Sequence, residues 1–434
     1  MEITKKIKNS ATMYHVREMI FISTRKKNLV KLFSYASIIT VIIVIVSVIQ
    51  FLNDQNGRAF ESIIRYDSRR YPTDLKYILF WKPSNEKTHS YYKARSRLPD
   101  GQNLFIKQNC KYINCFITYE KNLLKNNHRN IDAVVFSVRD IQNVSIKEIN
   151  LTRSLDQIFI FHSLRSSEEY PVCNRFFDNF FNWTWTYRLD SDVPKPFINI
   201  FNSKNNLVGP RKGINWNPLS WSHNHIMIRK FRKTKAVAWI VTKCQTRLKY
   251  QEFVNEMKKE LMSYNYSIDI YGPCGDKRCP NGHLINCFKL IEKEYYFQMI
   301  LEDAFVDDYI SELIAYAMSH VAIPIVLGSP SNYEKFLAPG SYINAQIFDM
   351  KKLGAIIDFL IQYPVTYKYF FDWKNHYYYT VRPRNYVCDL CAKLNKISPP
   401  KVYKNFLKWW NPGYKDVCQR RRFHNIFMKT YRNG

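Results

Sequence analysis

The sequence predicts a chain of the α/β class, because short apolar runs alternate with segments that have helical spacing. The stretch 301–343 shows this alternation most completely. It begins with an acidic loop, continues with apolar residues at three- and four-residue steps, and ends in the apolar run 323–327 before Gly328. We expect a loop, a helix capped by Asp307 or Asp308, and a buried strand. Such a unit offers amide groups to phosphate in nucleotide-binding domains, although the pattern alone favours an ordinary structural unit.

Length and composition indicate a folded chain of two or three domains. The 434 residues are 46% hydrophobic and 16% aromatic, which is enough to bury real cores and argues against disorder. Lys and Arg number 65 against 36 Asp and Glu, so the formal charge is +29. Such an excess favours phosphate-bearing ligands, membrane surfaces or nucleic acid. The basic residues are scattered along the chain without a nucleic-acid-binding motif, so the charge alone decides little.

One uncharged apolar segment, residues 32–52, predicts a membrane anchor. At about 1.5 Å per helical residue, its 21 residues match a hydrocarbon core of roughly 30 Å. Lysines immediately precede it, so the positive-inside rule places residues 1–31 in the cytosol and the rest of the chain in the lumen. A cleaved signal peptide is the alternative, but the run is too long and no small-residue cleavage site follows. We expect a single-pass type II membrane protein with a polar stem at 53–73, which excludes nucleic acid as a partner.

The cysteines and the glycosylation sequons agree with a lumenal environment. All ten cysteines follow the apolar segment, and an even set in this compartment predicts disulfides. Cys388 and Cys391 have the spacing of half a zinc site or of a redox pair, but no matching second pair exists, so structural disulfides are favoured. Cys274 and Cys279 are further disulfide candidates. Predicted N-glycosylation sites are Asn143, Asn150, Asn182 and Asn265.

The lumenal part divides into two expected α/β domains and a tail. The first domain covers 74–230, and its strand candidates are 77–81, 115–118, 133–136 and 158–161. The second domain covers 231–380, and its candidate elements are strand 236–241, helix 252–264, strand 268–271, the stretch 301–343 and helix 351–363. Residues 381–434 form a Cys-containing C-terminal tail.

Three segments carry long, ordered motifs. Residues 181–192 read FNWTWTYRLDSD, residues 237–244 read VAWIVTKC, and residues 295–343 run from YYF to SYI. These segments resemble the α-1,3-fucosyltransferase family of Golgi enzymes, in its FNWT-x-x-YR-x-DSD signature, its VAW-x-VSNC strand and its YKFY…FENS…DYVTEKL…SYI block. The signature positions in this chain are Asn182, Tyr187, Arg188, Asp190 and Asp192.

The resemblance implies a GT-B fold, in which two Rossmann-like domains face each other across a cleft. The C-terminal domain would bind the donor GDP-fucose, and the N-terminal domain would bind a glycan of a glycoprotein or glycolipid. Fucose would be transferred with inversion to the 3-OH of an N-acetylglucosamine unit at the Golgi membrane. No cofactor or metal is required by such a fold. Dimerisation is left open.

The resemblance also shows where this chain departs from the family at the predicted base. The family base is a Glu in an L-E-S-P segment, and the matching residues 164–167 read LRSS. Arg165 cannot accept a proton at neutral pH. The candidate displaced bases are Glu168 and Glu169, three and four residues after Arg165.

The phosphate-binding positions of the family are changed as well. The Lys of its TEK motif is Leu313 here, and a family Arg falls on Tyr250. The candidate donor-binding residues are Lys249, Arg247, Glu302, Asp303, Tyr309 and Glu312. Transfer of fucose needs both a base for the acceptor hydroxyl and cations for the departing diphosphate. Because both sets of positions are changed here, we keep two hypotheses. The first is a divergent active transferase, and the second is a catalytically silent relative that binds glycan or modulates an active transferase.

Overall fold

The structure of the chain is a computed structural model. It describes residues 31, 34–35, 37–50, 75–82, 98–124, 130–142, 149, 153–216, 233–242, 244, 248, 250–381, 386–413 and 417–418. Contacts divide the chain into two units, Met1–Asp74 and Leu75–Gly434. In the first unit residues 37–50 are helical, and across the described ranges no helix combines the length and apolar character that crossing a membrane requires. The predicted anchor 32–52 lies partly outside these ranges and the stem 53–73 wholly, so both stay predictions.

The second unit is built from strands and helices in alternation. Its strands are β1 Lys76–Phe80, β2 Cys115–Thr118, β3 Ala133–Ser137, β4 Ile158–Ser163, β5 Trp183–Thr186, β6 Ile198–Asn202, β7 Leu207–Gly209, β8 Lys235–Ile240, β9 Ile268–Tyr271, β10 Tyr295–Leu301, β11 Ile323–Leu327, β12 Ile343–Asn344 and β13 Tyr377–Val381. Its α-helices are α1 Asn103–Lys107, α2 Val138–Ile141, α3 Tyr250–Met262, α4 Leu284–Glu294, α5 Leu313–Ser319, α6 Pro330–Phe336, α7 Met350–Gln362, α8 Pro364–Tyr369, α9 Tyr386–Leu394 and α10 Phe406–Trp410. Short 3₁₀ turns cover Arg175–Phe177, Pro280–Gly282, Ala345–Ile347 and Asp372–Asn375.

Two five-stranded parallel sheets organise this unit. Their strand orders are β2-β1-β3-β4-β5 and β12-β11-β10-β8-β9. Both therefore have the doubly wound order in which the first strand lies between the second and the third. Their strands are buried on both faces, as the apolar runs in the sequence indicate. The α/β class is confirmed, and each sheet has a switch point, between β1 and β3 and between β8 and β10.

We call the part around the first sheet the first half of this unit and the part around the second sheet the second half. A small antiparallel sheet and the returning C-terminal segment join them. Strand β13 pairs with β6, which pairs with β7. Helices α9 and α10 then pack on the first sheet, where Leu390 joins the core around Trp185 and Trp410 contacts Phe161. The described part of the predicted tail 381–434 is thus an integral part of the first half.

Disulfides fasten this returning segment. Cys388 pairs with Cys110 and Cys391 pairs with Cys115, so the two cysteines of the CDLC motif are not joined to each other. The remaining pairs are Cys173–Cys418, Cys244–Cys274 and Cys279–Cys287. The prediction of structural disulfides at all four candidate cysteines is confirmed.

The helix expected after Asp307 or Asp308 begins only at Leu313. Asp308 has a positive φ of 61°, and its carboxylate binds the backbone N–H of Leu189 and the ammonium group of Lys335. Its side chain is therefore unavailable to the helix, and Glu312 occupies the N-cap position without a side-chain hydrogen bond. The capping prediction is wrong for both residues, because the helix begins later at Leu313, and at Asp308 tertiary contacts also take the carboxylate.

Candidate functional site

The candidate site lies at the carboxyl ends of the second sheet. We call residues 302–312, between β10 and α5, the donor loop. Glu302 is the first residue after β10, and Tyr250 opens α3 after β8. They therefore flank the switch point between β8 and β10, where doubly wound domains bind their ligands.

Glu302 is a buried carboxylate with local hydrogen-bond donors. It is 1% exposed, and its oxygens accept hydrogen bonds from the Ser311 N–H at 2.9 Å and from the Ser311 hydroxyl at 3.2 Å. Burial raises the pKa of Glu302 to about 7, although the bonds from Ser311 oppose the rise. Near neutral pH both the acid and the carboxylate are therefore populated.

Buried tyrosines surround Glu302. Burial raises the pKa of Tyr250, Tyr309 and Tyr333, and the charge of Glu302 raises each further, so all three stay neutral phenols. Within the described residues, the hydroxyls of Tyr250 and Tyr333 make no hydrogen bond. A Cβ at Gly328 would lie 2.8 Å from the Tyr333 hydroxyl and 3.0 Å from Glu302 Cγ, so a glycine leaves the room these groups need.

The predicted displaced bases lie against the donor loop. Glu168 Oε2 accepts a hydrogen bond of 3.4 Å from the backbone N–H of Phe305. Glu169 instead pairs with Arg165 at 3.7 Å. The loop after β4, at the carboxyl end of the first sheet, thus meets the loop after β10 of the second sheet. Glu168 therefore contacts the donor loop by a hydrogen bond.

Of the other donor-side candidates, Asp303 and Glu312 lie near the two ends of the donor loop, and Arg247 and Lys249 lie outside the described ranges. Asp303 is partly exposed. Its charge also raises the pKa of Glu302, but contributes less than burial does. Glu312 is exposed at the start of α5. Arg247 and Lys249 fall outside the described residues, so their role as cations stays a prediction.

The signature motif forms a braced turn. Arg188 binds Asp190 through two hydrogen bonds of 2.9 Å, and Trp409 both donates to Asp190 and lies under the guanidinium group. Asp192 accepts hydrogen bonds from Thr184, Tyr403 and Lys401. Tyr187 makes an edge contact with Tyr309, with ring centroids 5.1 Å apart. The motif therefore holds the returning C-terminal segment and touches the donor loop.

The sequons differ in their surroundings. The Asn182 side chain accepts from the Phe159 N–H and donates to the Lys401 carbonyl, so its amide is part of the fold. Asn265 is exposed on the turn after α3, which is a favourable place for a glycan. Asn143 and Asn150 lie outside the described residues.

Several residues of the site were not among the sequence candidates. Ser311, Gly328, Tyr333 and Asn332 were missed, and the only available signal was the turn at Gly328 and the family block that contains them. In the described part of the chain, no three His, Cys, Asp or Glu side chains are grouped as metal ligands. That no metal or cofactor is required stays a prediction.

Comparisons with known proteins identify the family of this chain. The family model for glycosyltransferase family 10 (fucosyltransferase) C-term matches residues 230–410, and the model for the fucosyltransferase N-terminal region matches residues 73–198. Alpha-(1,3)-fucosyltransferase C of Drosophila melanogaster is 27% identical over 372 residues, which are 83% of this chain and 83% of that protein. Glycoprotein 3-alpha-L-fucosyltransferase A of the same species is 25% identical over 75% of this chain and 60% of its own length.

A crystal structure of an alpha1,3-fucosyltransferase with GDP-fucose is also similar. It covers 75% of this chain and 92% of its own, with 13% identity and a TM-score of 0.41. The two family models between them span both sheets and the returning segment up to residue 410. This chain belongs to glycosyltransferase family 10, the fucosyltransferases.

Proposed function

We propose that this chain transfers fucose from GDP-fucose to the 3-OH of an N-acetylglucosamine unit in a glycoprotein or glycolipid glycan, with inversion. The observation that carries the proposal is the contact between Glu168 and the N–H of Phe305. This contact joins a carboxylate at the carboxyl end of the first sheet to the donor loop at the switch point of the second sheet. The displacement requires a base close to both donor and acceptor, and a carboxylate at this contact meets that requirement.

In the proposed step, Glu168 acts as the general base. It accepts the proton of the acceptor 3-OH while the oxygen forms a bond to C1 of fucose, and the bond from C1 to the diphosphate breaks to release GDP. Glu169 is less suited, because the guanidinium group of Arg165 holds it. Arg247 and Lys249 are the proposed partners of the departing diphosphate. Glu302, Tyr309 and the Tyr250 hydroxyl would contact the sugar nucleotide.

The proposed location is the Golgi membrane, with residues 32–52 as a type II anchor and the second unit in the lumen. Five disulfides support an oxidising compartment, because cytosolic proteins rarely keep them. The exposed sequon at Asn265 supports the same side of the membrane.

The test is a transfer assay with the purified full chain, GDP-fucose and a panel of N-acetylglucosamine-containing acceptors. Glu168→Gln should lower kcat by roughly 10²–10⁴-fold, whereas Glu169→Gln serves as a matched control and should lower it less than about tenfold. Equal losses in both variants would contradict the assignment of Glu168. GDP-fucose binding by calorimetry without transfer to any acceptor would support the silent relative instead.

A further inference from the structure

A buried carboxylate joins three separate parts of the second unit. Asp308 is 3% exposed, and its Oδ1 accepts a hydrogen bond of 2.7 Å from Lys335 Nζ on α6. Its Oδ2 accepts one of 3.0 Å from the backbone N–H of Leu189 in the signature turn. One side chain of the donor loop thus holds the second sheet's helix α6 and the first half at the same time.

The side chain of Asn332, also on α6, holds the same loop by its backbone. Asn332 is fully buried, its Oδ1 accepts from the N–H of Asp308 at 2.6 Å, and its Nδ2 donates to the carbonyls of Val306 and Tyr309 at 2.9 and 3.0 Å. Three hydrogen bonds from one amide define the path of residues 306–309. They also support the left-handed backbone of Asp308, which a short polar side chain tolerates.

The signature turn supplies the other end of this contact. Arg188 and Asp190 form a bidentate pair on either side of Leu189, and Trp409 holds both. Because the two flanking side chains are fixed, the Leu189 N–H has a defined direction towards Asp308. Apolar residues of the donor loop, Ala304 and Val306, pack into the core of the first half beside this turn.

We propose that Asp308, Asn332 and Lys335, together with the Leu189 N–H, form an inter-half clamp whose task is to position the donor loop. We call the clamp residues positioning residues, because the proposed contact with the sugar nucleotide is made by Tyr309, whose carbonyl accepts a hydrogen bond from Asn332. The clamp gives the signature turn a role that needs no contact with a ligand. The kinetic consequence rests on the proposed transferase function, whereas the structural consequence does not.

The test replaces Lys335 by Gln and by Arg in the full chain, with Lys352→Gln as the matched control. Lys352 makes an exposed ion pair with Asp349 at 3.5 Å on α7, and such pairs contribute little. Hydrogen exchange followed by mass spectrometry should show at least about tenfold faster exchange in 186–192 and 304–312 for Lys335→Gln. Strands β3 and β4 should be unchanged, and Lys335→Arg should restore slow exchange.

The kinetic measurement uses the same variants. Lys335→Gln should lower kcat at least about tenfold while the KM for GDP-fucose changes less, because the loop is misplaced for the reacting step. Wild-type exchange in both segments of Lys335→Gln, or equally accelerated exchange in β3 and β4, would overturn the clamp. Accelerated exchange confined to the two segments would support it even if the wild-type chain transfers no fucose, in which case only the proposed function fails.

Discussion

Replacing Glu302 by Gln should make the stability of the protein less dependent on pH. Burial raises the pKa of Glu302 from its ordinary value of 4.5 to about 7 in the folded chain. Between these values the folded state binds more protons than the unfolded state, so the free energy of unfolding falls as pH rises. At about 1.36 kcal/mol per pKa unit, the shift corresponds to a loss of about 3 kcal/mol that is complete near pH 8.

Gln has the shape of the protonated acid, so it should escape this loss. Its carbonyl would accept from the Ser311 N–H, and its amide would donate to the Ser311 hydroxyl. The assay is urea unfolding of the oxidised full chain at pH 5 and pH 8, with the exposed Glu312→Gln as control. Because part of the loss has already occurred at pH 5, we expect Glu302→Gln to lose about 2.5 kcal/mol less than wild type over this range, while Glu312→Gln follows wild type. Parallel profiles for all three proteins would refute the argument from burial.

Three further predictions concern the site and its support. Gly328→Ala would push a methyl group against Glu302, so it should destabilise the chain by about 1–3 kcal/mol and weaken GDP-fucose binding in a calorimetric titration. Unchanged stability would show that the neighbours can move. Tyr250→Arg places a cation near Glu302 and should lower its pKa by about 1–3 units, measured as a shift of the stability profile to lower pH; an unshifted profile would contradict the proximity. Replacing Cys115 and Cys391 together by Ser should lower the free energy of unfolding by roughly 2–5 kcal/mol, measured by thermal unfolding. An unchanged melting temperature would contradict a stabilising role for this disulfide.

Local patterns predict the buried strands well. The predicted strands 115–118, 268–271 and 323–327 have the bounds of β2, β9 and β11, because each is a short, mostly apolar segment bounded by polar or turn residues. Helix α7 begins one residue before the predicted start at 351 and ends one before the predicted end at 363. Strand β13 was not predicted, although its residues YYYTV have high strand propensity, and its pairing with the distant β6 could not be read from the sequence.

The site could be predicted only with the help of the family motifs. Glu302 and Tyr309 match them, Glu168 is the nearby replacement for a base position that has become Arg165, and the structure places all three around the donor loop. Their partners could not be predicted, because a bond such as Leu189 N–H to Asp308 joins residues 119 positions apart. The same long-range bond explains the failed capping prediction. Asp is a common N-cap residue, but the carboxylate of Asp308 binds Leu189 and Lys335, which are close to it only in the folded chain.

We propose that fucose passes from GDP-fucose to O3 of an N-acetylglucosamine unit at the contact between the loops after β4 and β10. The most direct measurement is nuclear magnetic resonance of the glycan formed by the purified full chain, alongside quantified GDP. We expect one fucose on O3 for each GDP released, with the configuration at C1 opposite to that in the donor. Retained configuration, attachment elsewhere, or GDP release without a fucosylated glycan would contradict it.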